Sequence, residues 1–315
     1  MHLVKTGFAV LIFQVICNLL VVAVAREPIK PLPQTIQYNK KVANLGKMLF
    51  MDTLLSKDNS ISCHSCHDFS HGGAEPYEYS TGVFKQKGNI NAPTVFNSYF
   101  NFRQFWNGRA ADLTEQAAGP LHNPIEMGMT SKEIEQKLND HESYPKLFHE
   151  TFGTYKITID QVTKAIAEFE KALITPNSKF DRYLRGEVKL TQQESDGYLL
   201  FKTLGCASCH NGINIGGNSF QYLGAVNEVD KELSGDLYEI TKDPFDRHRY
   251  KVPSLRNIML TPPYLHTGEA KKIEDVVKTM AFHNLGYQLD NEEITLLVAF
   301  FETLTGDRPA IIDSQ

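Results

Sequence analysis

Apolar residues recur at helical spacing in several stretches of this chain. Ile159, Val162, Ile166, Phe169 and Leu173 fall on one helix face, and Pro176 stops that helix. Thr130-x-x-Glu133 is a capping box that opens a helix to about Asn139. A last helix is predicted from Asn291 to Leu304. It carries Ile294, Leu297, Val298 and Phe301 on one face, with Gly306 just past its end. Leu45 to Phe50 is a shorter helical pattern. A second capping box, Thr191-x-x-Glu194, opens a helix that includes Tyr198 to Phe201 and Leu204. Strand alternation is scarce, and long loops occupy Asp68 to Phe100 and Asn211 to Arg249. The pattern predicts a mainly α protein with little strand. It places a boundary near Pro176, between a domain over 26–176 and another over 177–315.

The first residues form a different pattern. Lys5 precedes an almost wholly apolar stretch from Gly7 to Val24, and Ala23-Val24-Ala25 fits the small-x-small cleavage rule. Residues 1–25 therefore read as a signal peptide cut before Arg26. The rival is a retained membrane anchor, since the stretch approaches spanning length. Lipid attachment through Cys17 lacks the small residues that should precede it.

Composition narrows the function. The 315 residues are 42% hydrophobic and 22% charged, ordinary values for a globular protein. A net charge of −5 gives no electrostatic support for nucleic-acid binding. The charge becomes −6 once Lys5 is removed, and a charged partner would present a basic face.

Cleavage also removes Cys17. The four remaining cysteines form two identical frames, Cys63-x-x-Cys66-His67 and Cys206-x-x-Cys209-His210. C-x-x-C-H places two thiols about one helical turn apart, to form thioethers with two haem vinyl groups. The imidazole that follows ligates the iron from one face. A redox dithiol needs no such His, and zinc needs further ligands at finger-like spacing, which are missing. Two covalently bound c-type haems are expected. Each would sit in its own cytochrome c-like domain, preceded by a helix in a weak internal repeat.

From Leu45 to Gly306 the chain resembles the bacterial di-haem cytochrome c peroxidases, with MauG-type enzymes close behind. The matching blocks are Leu45-Gly46-Lys47, Asn91 to Asn97, Phe105-Trp106-Asn107-Gly108-Arg109-Ala110 and Asn123 to Gly128. Val252 to Asn257 and Pro263-Tyr264-Leu265-His266-x-Gly268 complete the set. The resemblance implies a peroxidatic N-terminal haem held by His67. It also implies an electron-transfer haem held by His210 and Met280, where a MauG-type enzyme carries Tyr. Glu126 matches the family's acid–base glutamate. Gln104 matches a glutamine over the same haem, and Trp106 the tryptophan between the haems. Arg256 and His266 are expected to contact cofactor. Asn91, Thr261 and Pro263 match the family's calcium site. The implied reaction is periplasmic reduction of hydrogen peroxide by electrons from a small soluble cytochrome c or cupredoxin, in a homodimer. Two alternatives stay open: a MauG-like oxidase, and a non-enzymatic electron carrier or redox sensor.

One position departs from the pattern. Many members place a second His on the peroxidatic iron after a Ser-x-Gly turn. Here Ser80-Thr81-Gly82 is followed by Val83, which cannot ligate iron. His71, four residues after His67, reads as structural or surface. The N-terminal iron is therefore expected to be open at rest, with no reductive activation needed.

Overall fold

A computed structural model describes residues 27–229 and 233–314. The signal stretch lies outside the described residues. The chain is mostly helical. Its helices are α1 (Lys40–Met51), α2 (Cys63–Cys66), α3 (Leu113–His122), α4 (Ser131–Asn139), α5 (Tyr144–Phe152) and α6 (Ile159–Lys171). They continue as α7 (Lys179–Leu184), α8 (Gln192–Thr203), α9 (Tyr238–Thr241), α10 (Ile273–Leu285), α11 (Asn291–Glu302) and α12 (Ala310–Asp313). A single antiparallel pair, β1 (Phe220–Tyr222) with β2 (Arg249–Lys251), is the one named sheet among the described residues.

Capping sets the helix starts. Reciprocal boxes join Thr130 to Glu133, Thr158 to Gln161, Thr191 to Glu194 and Asp290 to Glu293. The first and third are the boxes legible in sequence. Helix α1 is longer than its apolar pattern suggested, because Asn39 caps it from its side chain.

Buried side chains form two clusters. One runs from Ala43 to Leu173 and adds Ile311; the other runs from Phe180 to Leu304 and adds Ile29. Each end of the described chain thus packs into the core built by the opposite half, an exchange that a linear boundary at Pro176 does not anticipate.

Both clusters use the same crossing. A Cβ on Gly46 of α1 would collide with the Ala165 carbonyl of α6, and a Cβ on Gly197 of α8 with the Leu296 carbonyl of α11. Four residues after each glycine stands a fully buried phenylalanine, Phe50 and Phe201. Glycine admits backbone-to-backbone approach, and the phenylalanine fills the space beside it.

A second repeat follows at an offset of 257 − 97 = 160 residues. Asn97 and Asn257 both adopt positive φ, as do Phe105 and Leu265, and Gly108 and Gly268. Isolated bridges Gln104–Ala110 and Tyr264–Ala270 close equivalent loops. Asn97 and Asn257 both donate to the Thr175 hydroxyl, at 2.7 and 2.9 Å. The two halves are thereby tied at one buried point.

Candidate haem sites and the distal pocket

The first motif lies on α2, entered through Ser62 and Ser65, which cap each other. His67 follows at the helix end. Its Nδ1 donates to the Gly73 carbonyl at 3.3 Å, which leaves Nε2 as the ring atom open to a metal. Burial pushes the ring pKa down to about 4, so the imidazole is neutral. His210 repeats the arrangement: Nδ1 donates to the Ile215 carbonyl at 3.4 Å, and burial again lowers the pKa to about 4. None of the four cysteines forms a disulfide.

Each motif opens on a cavity. The N-terminal one, about 330 Å³, is lined by Cys63, Cys66 and His67 together with Gln104, Trp106, Arg109, Gln116, Glu126 and Glu170. The C-terminal one, about 180 Å³, is lined by Cys209 and His210 with Trp106, Tyr250, Lys251, His266 and Met280. Helix α10 delivers Met280 to the cavity that holds His210. Paired thiols, an oriented neutral imidazole and an adjoining apolar-walled cavity fit a covalently held haem in both halves.

Trp106 and Asn91 line both cavities. The indole Nε1 donates to the Asn91 carbonyl at 2.9 Å. The ring meets His266 edge-on at 6.1 Å, and His266 stacks on Tyr250 at 4.3 Å. His266 is the repeat mate of Trp106, so one aromatic from each half stands at the junction.

Glu126 sits in a turn that Asn123 organises. Asn123 Oδ1 accepts from the Ile125 amide at 3.1 Å, and its Nδ2 donates to the Glu126 carboxylate at 2.6 Å. Burial raises the Glu126 pKa above the usual carboxylate range; the Asn123 hydrogen bond and the Arg109 charge oppose that rise. Val83 is fully buried outside the cavity lining, and its amide donates to the Glu126 carbonyl at 2.8 Å. Val83 therefore braces, through its backbone, the turn bearing Glu126.

Gln104 and Gln116 differ in availability. The Gln104 amide donates to the Ser98 carbonyl at 3.0 Å and accepts from Asn101 at 3.5 Å. Gln116, on α3, faces the same cavity, and its side chain makes no hydrogen bond among the described residues. Gln116 is a site residue that only the fold brings to this cavity.

Arg256, expected to contact cofactor, is engaged by protein groups. Its guanidinium binds Asp181 at 3.0 Å and the carbonyls of Ile213 and Lys30, and it lines neither cavity. It is a buried structural cation that ties the loop after His210 to the N-terminal segment. His71 is half-exposed and paired with Asp68 at 3.1 Å, away from both cavities. Asn91 is buried, with Nδ2 on the carbonyls of Tyr77 and Glu78, and it shares a cavity with Thr261 and Pro263.

Fold and sites define a mainly helical class of protein built to hold two haems in facing halves. The comparisons agree. A family profile described as di-haem cytochrome c peroxidase matches residues 40–189. Cytochrome c551 peroxidase of Nitrosomonas europaea is 46% identical over 290 residues, covering 91% of this chain and 87% of that protein. The cytochrome c551 peroxidase of Pseudomonas aeruginosa is 38% identical over 295 residues, covering 90% and 85%. A crystal structure of a MauG-like protein associated with microbial copper homeostasis superposes with a TM-score of 0.77 at 26% identity, covering 91% of this chain and 95% of that one. The chain belongs to the di-haem cytochrome c peroxidase family, whose members carry two haem c groups.

Proposed function

We propose that the chain reduces hydrogen peroxide to water: H₂O₂ + 2H⁺ + 2e⁻ → 2H₂O. A small cytochrome c or cupredoxin supplies the electrons singly. Bound haem supplies the one-electron chemistry and the site of peroxide cleavage.

The observation that carries this reading is Glu126 in the cavity of His67, its carboxyl held above the usual range by burial. Such a group takes a proton from the inner peroxide oxygen and returns it to the outer one, so that water leaves. Gln116, with its amide uncommitted, is positioned to hydrogen-bond peroxide, the role expected of Gln104. His67 would hold the N-terminal iron, and His210 with Met280 the C-terminal one, a ligand pair that gives a higher potential than bis-His ligation. Trp106, in contact with both cavities, lies on the electron route between them.

Residues 26–176 form the peroxidatic half and 177–315 the electron-receiving half. Residues 1–25 direct export to the periplasm, where the chain works as a homodimer. Neutral oxygens of Asn91, Thr261 and Pro263 suit a calcium ion near Trp106. Met280 in the His210 cavity favours the peroxidase reading over a MauG-like oxidase.

The test is peroxide-dependent oxidation of reduced cytochrome c. Glu126→Gln is expected to lose most turnover, on the order of 10²–10⁴-fold, with both haem spectra intact. Full activity in that variant would remove the acid–base assignment. Absence of turnover in the native di-haem protein would remove the peroxidase reading.

A further inference from the structure

Lys251 is a buried cation without a partner among the described residues. It is 5% exposed on β2, and its Nζ forms no ion pair or hydrogen bond among the described residues. A lone ammonium in such a place is costly, and burial depresses its pKa to about 8. The surroundings explain why it is kept. Among the described residues, Lys251 is the only Lys, Arg, Asp or Glu lining the C-terminal cavity, which otherwise presents apolar, aromatic and neutral polar groups. Its amide donates to the Trp106 carbonyl at 2.8 Å, so the side chain starts from the junction between the two cavities.

A haem carries two propionate carboxylates, and a cavity that receives it must compensate at least part of that charge. We propose that Lys251 binds a propionate of the C-terminal haem and thereby holds up the potential of the electron-receiving iron. The inference rests on the reading of this cavity as a haem site. Arg256, five residues further on and the stronger candidate by sequence, is already committed to Asp181. Lys251 is the cation left for the cofactor. A positive charge beside the porphyrin disfavours the ferric state, which carries one more positive charge than the ferrous state. Removing the charge must lower the potential.

The experiment compares native protein with Lys251→Gln, Lys251→Met and Lys251→Arg by spectroelectrochemical titration, after haem is counted as pyridine haemochrome. Gln retains length and polarity, so it serves if Met impairs assembly. The Gln and Met variants are expected to show a downward shift in the C-terminal midpoint potential and a changed propionate bending mode in resonance Raman. The Arg variant should stay near native, and the N-terminal haem should be little affected. Two haems with unchanged potential and unchanged propionate modes in Lys251→Gln would overturn the proposal and leave the haem site standing. Fewer than two haems in the native chain would overturn the haem-site reading itself.

Discussion

Asn123 donates from Nδ2 to the Glu126 carboxylate at 2.6 Å, and this contact opposes the burial that raises the pKa of the residue assigned to move the peroxide proton. Glu126 must be ionised to accept that proton, so activity falls on the acid side of its pKa. That pKa lies above 4.5 through burial and is restrained by Asn123. Asn123→Asp keeps the oxygen that caps Ile125 but replaces the donor with a second carboxylate. A hydrogen bond to a charged group is worth about 1.5–3 kcal/mol, so the acid limb should move up by about one pH unit or more. The pH–rate profile checks this, with Glu126→Gln as the reference lacking the limb. An unmoved limb would detach the profile from Glu126.

Val83 bears on activation. Its side chain is sealed from solvent, and its amide holds the Glu126 turn in place. The chain at this position cannot supply an iron ligand, and His71 is engaged with Asp68. The diferric protein is therefore expected to turn over peroxide without pre-reduction, with a high-spin N-terminal haem. A low-spin bis-His spectrum for that haem, with activity only after reduction, would refute the expectation.

Much of the site was legible because its chemistry demands fixed residue types at short spacing. Cys63-x-x-Cys66-His67 and its repeat need no tertiary information, nor do the capping boxes at Thr130 and Thr191. What sequence hid was determined by long-range packing. Helix α3 contains Pro120, and its Ala-Gly run lacks a firm apolar stripe, so Gln116 had no element to place it on. Arg256 and Lys251 look alike as neighbouring cations; only the fold shows that one meets Asp181 and the other a cavity. The 160-residue repeat rests on few identities, such as Asn97 with Asn257 and Gly108 with Gly268. Its clearest mark is positive φ, which a sequence does not display.

Glu170 provides a stability test at the N-terminal cavity. It is 3% exposed on α6, its Oε2 has no hydrogen-bond partner, and burial pushes its pKa up to about 8 from 4.5. The folded state thus keeps a proton that the unfolded chain loses above about pH 4.5. Folded protein binds more protons between these values, so this group's contribution to stability falls as pH rises from about 4.5 to 8. Glu170→Gln should raise Tm at pH 8 and change it far less at pH 5. The gain should be about 2–4 °C for each kcal/mol recovered. Calorimetry at both pH values measures it. An equal change at both would mean that the carboxyl does not titrate in this window.

The glycine crossings supply the sharpest packing test, since they recur in both halves. Gly46 and Gly197 lie at helix pairs whose backbones leave no room for a Cβ against Ala165 and Leu296. Each crossing also positions a buried phenylalanine, Phe50 or Phe201, in the core beside its haem motif. Separating either pair enough to admit a methyl group disturbs packing throughout that half, at a cost of about 1–3 kcal/mol or more. Gly153 is the control: it has positive φ, but a methyl group there would meet nothing within 4 Å, so alanine costs only backbone strain of about 1–2 kcal/mol. Gly46→Ala is expected to impair the N-terminal haem spectrum, Gly197→Ala the C-terminal one, and Gly153→Ala neither. Thermal unfolding followed at each haem's absorption band separates the halves. Equal, small losses in all three variants would show that the crossings tolerate separation and that the two halves are not held by them.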